Sequence, residues 1–207
     1  MRSLACLFLG LCASGGLVAQ TVGDLNALAL LADRYTAQVM ASQGDQREVN
    51  LFKINGRSLA QPGTLMRRGV DVQNWTFIYR ILGPTGPDSS GVELPNRSVY
   101  VHCDRGEFNA LDWSPVPVMD CRSLESRWIG ISLDEAIRRL DDSGFNGGFS
   151  AVTLMRPMHP SYPDLCTYVF NCPTEHANVG ISALTGEVLW SEVWNTGKSG
   201  AHPRSTP

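Results

Sequence analysis

Leu25, Leu28, Ala32, Tyr35 and Val39 recur at steps of three and four residues between Asp24 and Ser42, a spacing that gathers them on one face of a helix. Thr21 with Asp24 supplies a capping pair and Gly44 a stop. The period then changes to two. Val49 to Ile54, Trp75 to Ile81, Ser98 to Cys103 and, after Asp104-Arg105-Gly106, Glu107 to Trp113 alternate as half-buried strands do. Asn55-Gly56 reads as the turn that closes the first of them. A second helix opens at Ser132, with Glu135 completing a capping box and Leu133, Ala136, Ile137 and Leu140 on one face, and it ends at Gly144. Four more strands are expected at Phe149 to Met155, Cys166 to Asn171, Val179 to Ala183 and Glu187 to Trp194, the last two joined across Thr185-Gly186.

Helix followed by strands thus occurs twice, and the halves align. Trp75-Thr-Phe-Ile-Tyr-Arg80 lies over Cys166-Thr-Tyr-Val-Phe-Asn171, and Val99 to Phe108 lies over Val179 to Val188. The first half has additional residues around Gly83 to Pro87, of surface-loop composition. The expected fold class is α+β, with a helix packed on an antiparallel sheet in two tandem cystatin-like α-β-β-β repeats. The halves span 20–113 and 131–195, joined by a breaker-rich linker over 114–130, and residues 196–207 have the composition of a disordered tail.

Residues 1–19 read as a signal peptide: Arg2, an apolar stretch from Leu4 to Leu11, small residues, and a cleavage position after Ala19. The expected location is the periplasm or the secreted fraction, with no transmembrane segment after cleavage, since no later stretch reaches the ~20 apolar residues a spanning helix needs. A composition of 43% hydrophobic and 18% charged residues calls for a packed core. The net charge of -3 provides no broad positive field, which argues against a nucleic-acid partner.

Loss of the leader removes Cys6 and Cys12 and leaves Cys103, Cys121, Cys166 and Cys172. Four cysteines in an exported chain read as two disulfides with three possible connectivities. If Thr167 to Asn171 is a strand, Cys166 and Cys172 lie about 20 Å apart, beyond the ~7 Å that a disulfide tolerates. They would then pair with Cys103 and Cys121.

Few residues suggest catalysis. There is no Gly-x-Ser-x-Gly elbow, and His102 and Cys103 point to opposite faces of a strand. Cys172 and His176, with His159 and Cys166 nearby, have metal-like spacing on one arm alone, so no metal and no cofactor is expected. Asp134-Glu135 and Asp141-Asp142 fall at the ends of a short helix, where solvated charge is the ordinary outcome. The aromatics Trp75, Phe77 and Tyr79 share one strand face, as do Trp190 and Trp194. They fit a core, and Trp75, Tyr79, Trp190 and Trp194 also fit a partner-binding surface on an uncovered sheet.

From Ile131 to Trp194 the chain resembles the PepSY-type module. Ile131-Ser-Leu-Asp-Glu-Ala-Ile137 opens the helix, Tyr168-Val-Phe170 lies in a strand, and Val179-Gly-Ile-Ser-Ala-Leu-Thr-Gly-Glu-Val188 forms the hairpin. The resemblance implies a helix on an antiparallel sheet, in exported bacterial proteins that bind or restrain peptidases, with no catalytic residues to carry over. The functional expectation is therefore a non-catalytic module for a protein or peptide partner, of unspecified oligomeric state. Its rival is a periplasmic hydrolase on a cystatin-like scaffold, using His102 or His159 with a carboxylate.

Overall fold

The computed structural model describes residues 24–44, 47–82, 98–114, 116 and 118–194. The leader, Thr21, the loop around Gly83 to Pro87 and the tail lie outside the described residues. Helix α1 spans Leu25–Ser42, and its N-cap Asp24 accepts from the amides of Asn26 and Ala27 at 3.0 and 3.2 Å, satisfying two of the donors a helix start leaves open. Leu25, Leu28, Ala29, Ala32, Thr36 and Met40 form its buried face. Burial of the Thr36 hydroxyl is offset by its 2.7 Å bond to the Ala32 carbonyl. Helix α2 spans Leu133–Asp142, capped by Ser132 on the Glu135 amide. The Glu135 side chain does not complete the capping box, because it pairs with Arg138 and Arg139.

The strands are β1 Glu48–Arg57, β2 Asn74–Leu82, β3 Ser98–Asp104, β4 Glu107–Ser114, β5 Cys121–Arg122, β6 Ala151–Pro157, β7 Thr167–Cys172, β8 Ala177–Ser182 and β9 Val188–Val193. They make one sheet in the order β4-β3-β2-β1-β6-β7-β8-β9, with β5 beside β6, and every pairing is antiparallel. β1 runs through Asn55-Gly56 without turning. Gly56 lies beneath the Trp75 ring, which a Cβ would meet at 2.5 Å, so this glycine serves close approach and not chain reversal.

The expected fold class needs correction. In place of a helix packed on a sheet in two tandem repeats, the protein is mostly a single nine-stranded antiparallel sheet: of the described residues 42% are strand and 22% helical, with two short α-helices. The physical reason is the seam between β1 and β6, where Lys53 to Arg57 pairs with Met155 to Ala151. Separate sheets would leave both strands as open edges with unpaired backbone groups, and pairing them removes both.

Strand alternation sorts the side chains onto two faces. Ile54, Trp75, Phe77, Tyr79, Val99, Val101, Val152, Leu154, Tyr168, Phe170, Val179 and Ile181 enter the main core with the apolar faces of both helices. On the opposite face a smaller cluster of Phe52, Ile78, Val118 and Cys121 lies at one end, against Tyr100 and Met155. That leaves the central and far part of the second face for the site.

Candidate functional site

The register of the sheet places polar residues of the second face in rows that cross the strands. One row runs Ala110, His102, Thr76, Asn55, Thr153, Val169, Gly180, Trp190 from β4 to β9. The next runs Asn74, Arg57, Ala151, Asn171, Asn178, Glu192. Side chains within a row stand one strand spacing apart and can bond to each other. The Thr153 hydroxyl donates to Asn55 Oδ1 at 3.0 Å, Ser150 Oγ to Asn171 Oδ1 at 2.6 Å, and Asn171 Nδ2 to Asn178 Oδ1 at 3.2 Å.

A recess of about 390 Å³ opens over these rows, lined by Arg57, Ser150, Thr153, Asn171 and Asn178, with Pro62 and Gly63 from the loop after β1. Its volume falls in the range of small-ligand sites. No carboxylate lines it, and among the described residues Arg57 makes no ion pair. The recess therefore presents one guanidinium and several amides and hydroxyls.

Toward β4 the same face carries a hydroxyl, an imidazole and a carboxylate in sequence. Thr76 Oγ1 is 3.2 Å from His102 Nδ1, and His102 Nε2 is 3.2 Å from Asp112 Oδ2. Toward β9, Trp190 lies on Gly180 and stacks against Tyr162 with centroids 4.3 Å apart, and the His159 ring lies tilted at 34° to Tyr162, with centroids 4.6 Å apart. The Tyr162 hydroxyl donates to Glu192, and burial of the ring, then this carboxylate, raises the phenol pKa.

The sequence-predicted residues scatter. Trp75 and Tyr79 are buried in the main core on the opposite face, so neither is presented to a partner. Trp190 reaches the open face as part of the stack, and Trp194 is half-buried just past β9, its amide bonded to the His176 carbonyl. Cys103, Cys121, Cys166 and Cys172 are all buried free thiols, which corrects the expected cross-links. Sheet spacing explains why. Cys103 on β3 is four strands from Cys166 and Cys172, about 19 Å. Cys121 on β5 is two strands from Cys166, about 10 Å, and Cys166 and Cys172 flank one strand. Burial pushes the Cys103 thiol up to about 11 and the other three up to about 12. No group of three His, Cys, Asp or Glu residues that could hold a metal forms among the described residues. His159 and His176 thus do not converge with Cys166 and Cys172.

No family model matches the chain, so membership of the PepSY-type family is not established, and no curated protein matches it. Among solved structures it is similar to a candidate lipoprotein from Clostridium difficile 630, at 9% identity over 76% of this chain and 91% of that one, with a TM-score of 0.39. A likeness this slight carries neither fold nor activity across.

Proposed function

We propose that this protein is a non-catalytic binding module, working in the periplasm or secreted, that holds a protein or peptide partner on the open face of its sheet. The observation that carries the reading is the uncovered polar recess over β1, β6, β7 and β8, built from residues that a soluble core does not need. Sheet faces of this kind offer a rigid platform on which side chains keep fixed spacing. The PepSY-type resemblance over 131–194 narrows the partner to a peptidase, which the module would restrain. No helix among the described residues is long and apolar enough to cross a membrane.

The test is a pulldown with the mature protein from a periplasmic or secreted extract, followed by peptidase assays on the retained material. Wild type is expected to retain a partner and slow its peptidase activity, and the N171A/N178A double variant to release it. Retention of nothing by wild type refutes the reading.

A hydrolase is the second reading, favoured by the Thr76, His102 and Asp112 chain. Such a chain allows the imidazole to take the hydroxyl proton while the carboxylate orients it. Ester turnover that disappears in both H102A and T76A would establish it. Equal background rates in wild type and both variants would dismiss it.

A further inference from the structure

We propose that the recess on the open face receives the C-terminal carboxylate of an extended peptide, with Arg57 as its anchor; this rests on the partner-binding reading above. The hydrogen bonds of the recess share one direction. Ser150, Thr153 and Asn171 donate inward, so the amide oxygens of Asn55, Asn171 and Asn178 are already occupied. The Nδ2 groups of Asn55 and Asn178 have no partner among the described residues. What the recess offers a ligand is thus chiefly donors: the guanidinium and the remaining amide N–H groups of Asn171 and Asn178, beside the lone pairs of the Ser150 and Thr153 hydroxyls. The ligand must bring acceptors, as a peptide backbone and its terminal carboxylate do.

Charge selects the same ligand. One cation and no lining carboxylate match a single negative charge. A phosphate group carries about -1.5 to -2 and is ordinarily met by more than one cation. A guanidinium forms two parallel hydrogen bonds to a carboxylate, which fixes position as well as sign. The row also sets an orientation. Arg57 and Glu192 stand in one row, with Ala151, Asn171 and Asn178 between them. Four strand spacings separate them, about 19 Å, the reach of roughly six extended residues. Glu192 repels a carboxylate, so the peptide's acid end belongs at Arg57 and its chain runs toward β9.

The experiment compares two pools of random N-acetylated hexapeptides, one ending in a free carboxylate and one amidated, titrated into the isotopically labelled mature protein and followed by NMR. The acid pool is expected to shift the Arg57 Nε–H and the side-chain amides of Asn171 and Asn178, and to bind R57Q at least tenfold more weakly. Arg57 is exposed, and unchanged core resonances in R57Q verify its fold. Equal binding of the amidated pool at the same residues overturns the carboxylate inference while leaving the partner-binding reading intact. Sodium acetate that saturates the same shifts as readily as the acid pool overturns the peptide as source. Silence from both pools overturns the inference, and the pulldown then decides the broader reading separately.

Discussion

The Thr153 hydroxyl on β6 donates to Asn55 Oδ1 on β1 at 3.0 Å, across the seam where the strands of the two halves of the chain meet. The two residues are direct register partners, so the bond costs neither strand any distortion. It also occupies the Asn55 amide oxygen, while the Asn55 NH2 group has no partner among the described residues.

Replacing Thr153 with Val removes the donor at nearly constant volume. Because both partners are half-buried, water can reach the orphaned amide oxygen, and the expected cost is about 1 kcal/mol. Urea denaturation measures it. A loss of ~3 kcal/mol or more would mean that the seam depends on this bond far beyond its ordinary worth.

Trp75 and Trp194 are predicted to behave oppositely. Trp75 is 1% exposed and packs on Gly56 and Val72, so Trp75→Ala should cost ~3–5 kcal/mol. Trp194 sits half-buried beyond the last strand, and Trp194→Ala should cost about 1 kcal/mol or less. Equal losses in denaturant would contradict this placement of the two rings.

How much of this was legible in the sequence follows from what each residue type signals. Period-two and period-3.6 patterns located both helices and eight strands to within a few residues, because burial of one face dictates them. The Asn55-Gly56 pair misled, since a turn dipeptide and a glycine under a tryptophan look alike before the ring is known. The β1–β6 seam was hidden because edge pairing is a property of the backbone, with no side-chain signature. Likewise the cysteine count suggested bridges that sheet spacing forbids. The recess residues Arg57, Thr153, Asn171 and Asn178 carried no motif or spacing that set them apart, and Asn55 beside them read as a turn residue. One signal could have marked them: asparagine is depleted in strand interiors, and Asn55, Asn171 and Asn178 all sit in strands against that preference.

The cysteines should resist alkylation. Thiol pKa values of about 11 to 12, set chiefly by burial, leave little thiolate at pH 8. Native protein is expected to react with iodoacetamide roughly two to three orders of magnitude more slowly than in denaturant, where all four add one label each. Mass spectrometry that finds two disulfides in the mature protein would overturn the free-thiol arrangement.

Asp33 introduces a pH dependence. Its carboxylate accepts from the buried Tyr79 hydroxyl at 2.8 Å; burial raises its pKa above 3.8, and the bond only partly opposes this. A carboxyl raised in the folded state holds its proton there more tightly than in the unfolded chain. Stability therefore falls as pH rises from about 3.8 through the folded pKa. Asp33→Asn keeps an acceptor for Tyr79 without the charge, so its stability relative to wild type should improve between pH 4 and pH 7. Urea midpoints at the two values test this, and a constant difference would refute it.

Gly180 supports the ring of Trp190, and its replacement tests the aromatic end of the open face. A Cβ at this position would meet Trp190 Cε2 at 2.3 Å and Nε1 at 2.4 Å. The ring cannot simply lift, because Tyr162 covers its other side at 4.3 Å and 12° between planes, and His159 in turn packs against Tyr162. Gly180→Ala must therefore separate the stack from the sheet, an overpacking cost of about 1–3 kcal/mol. If the clash with the indole is the whole cause, the same substitution in a Trp190→Ala background should cost almost nothing, since neighbouring changes that share one contact are not additive. A cost that persists without the indole would place the constraint in the β8 backbone and leave the stack without its support.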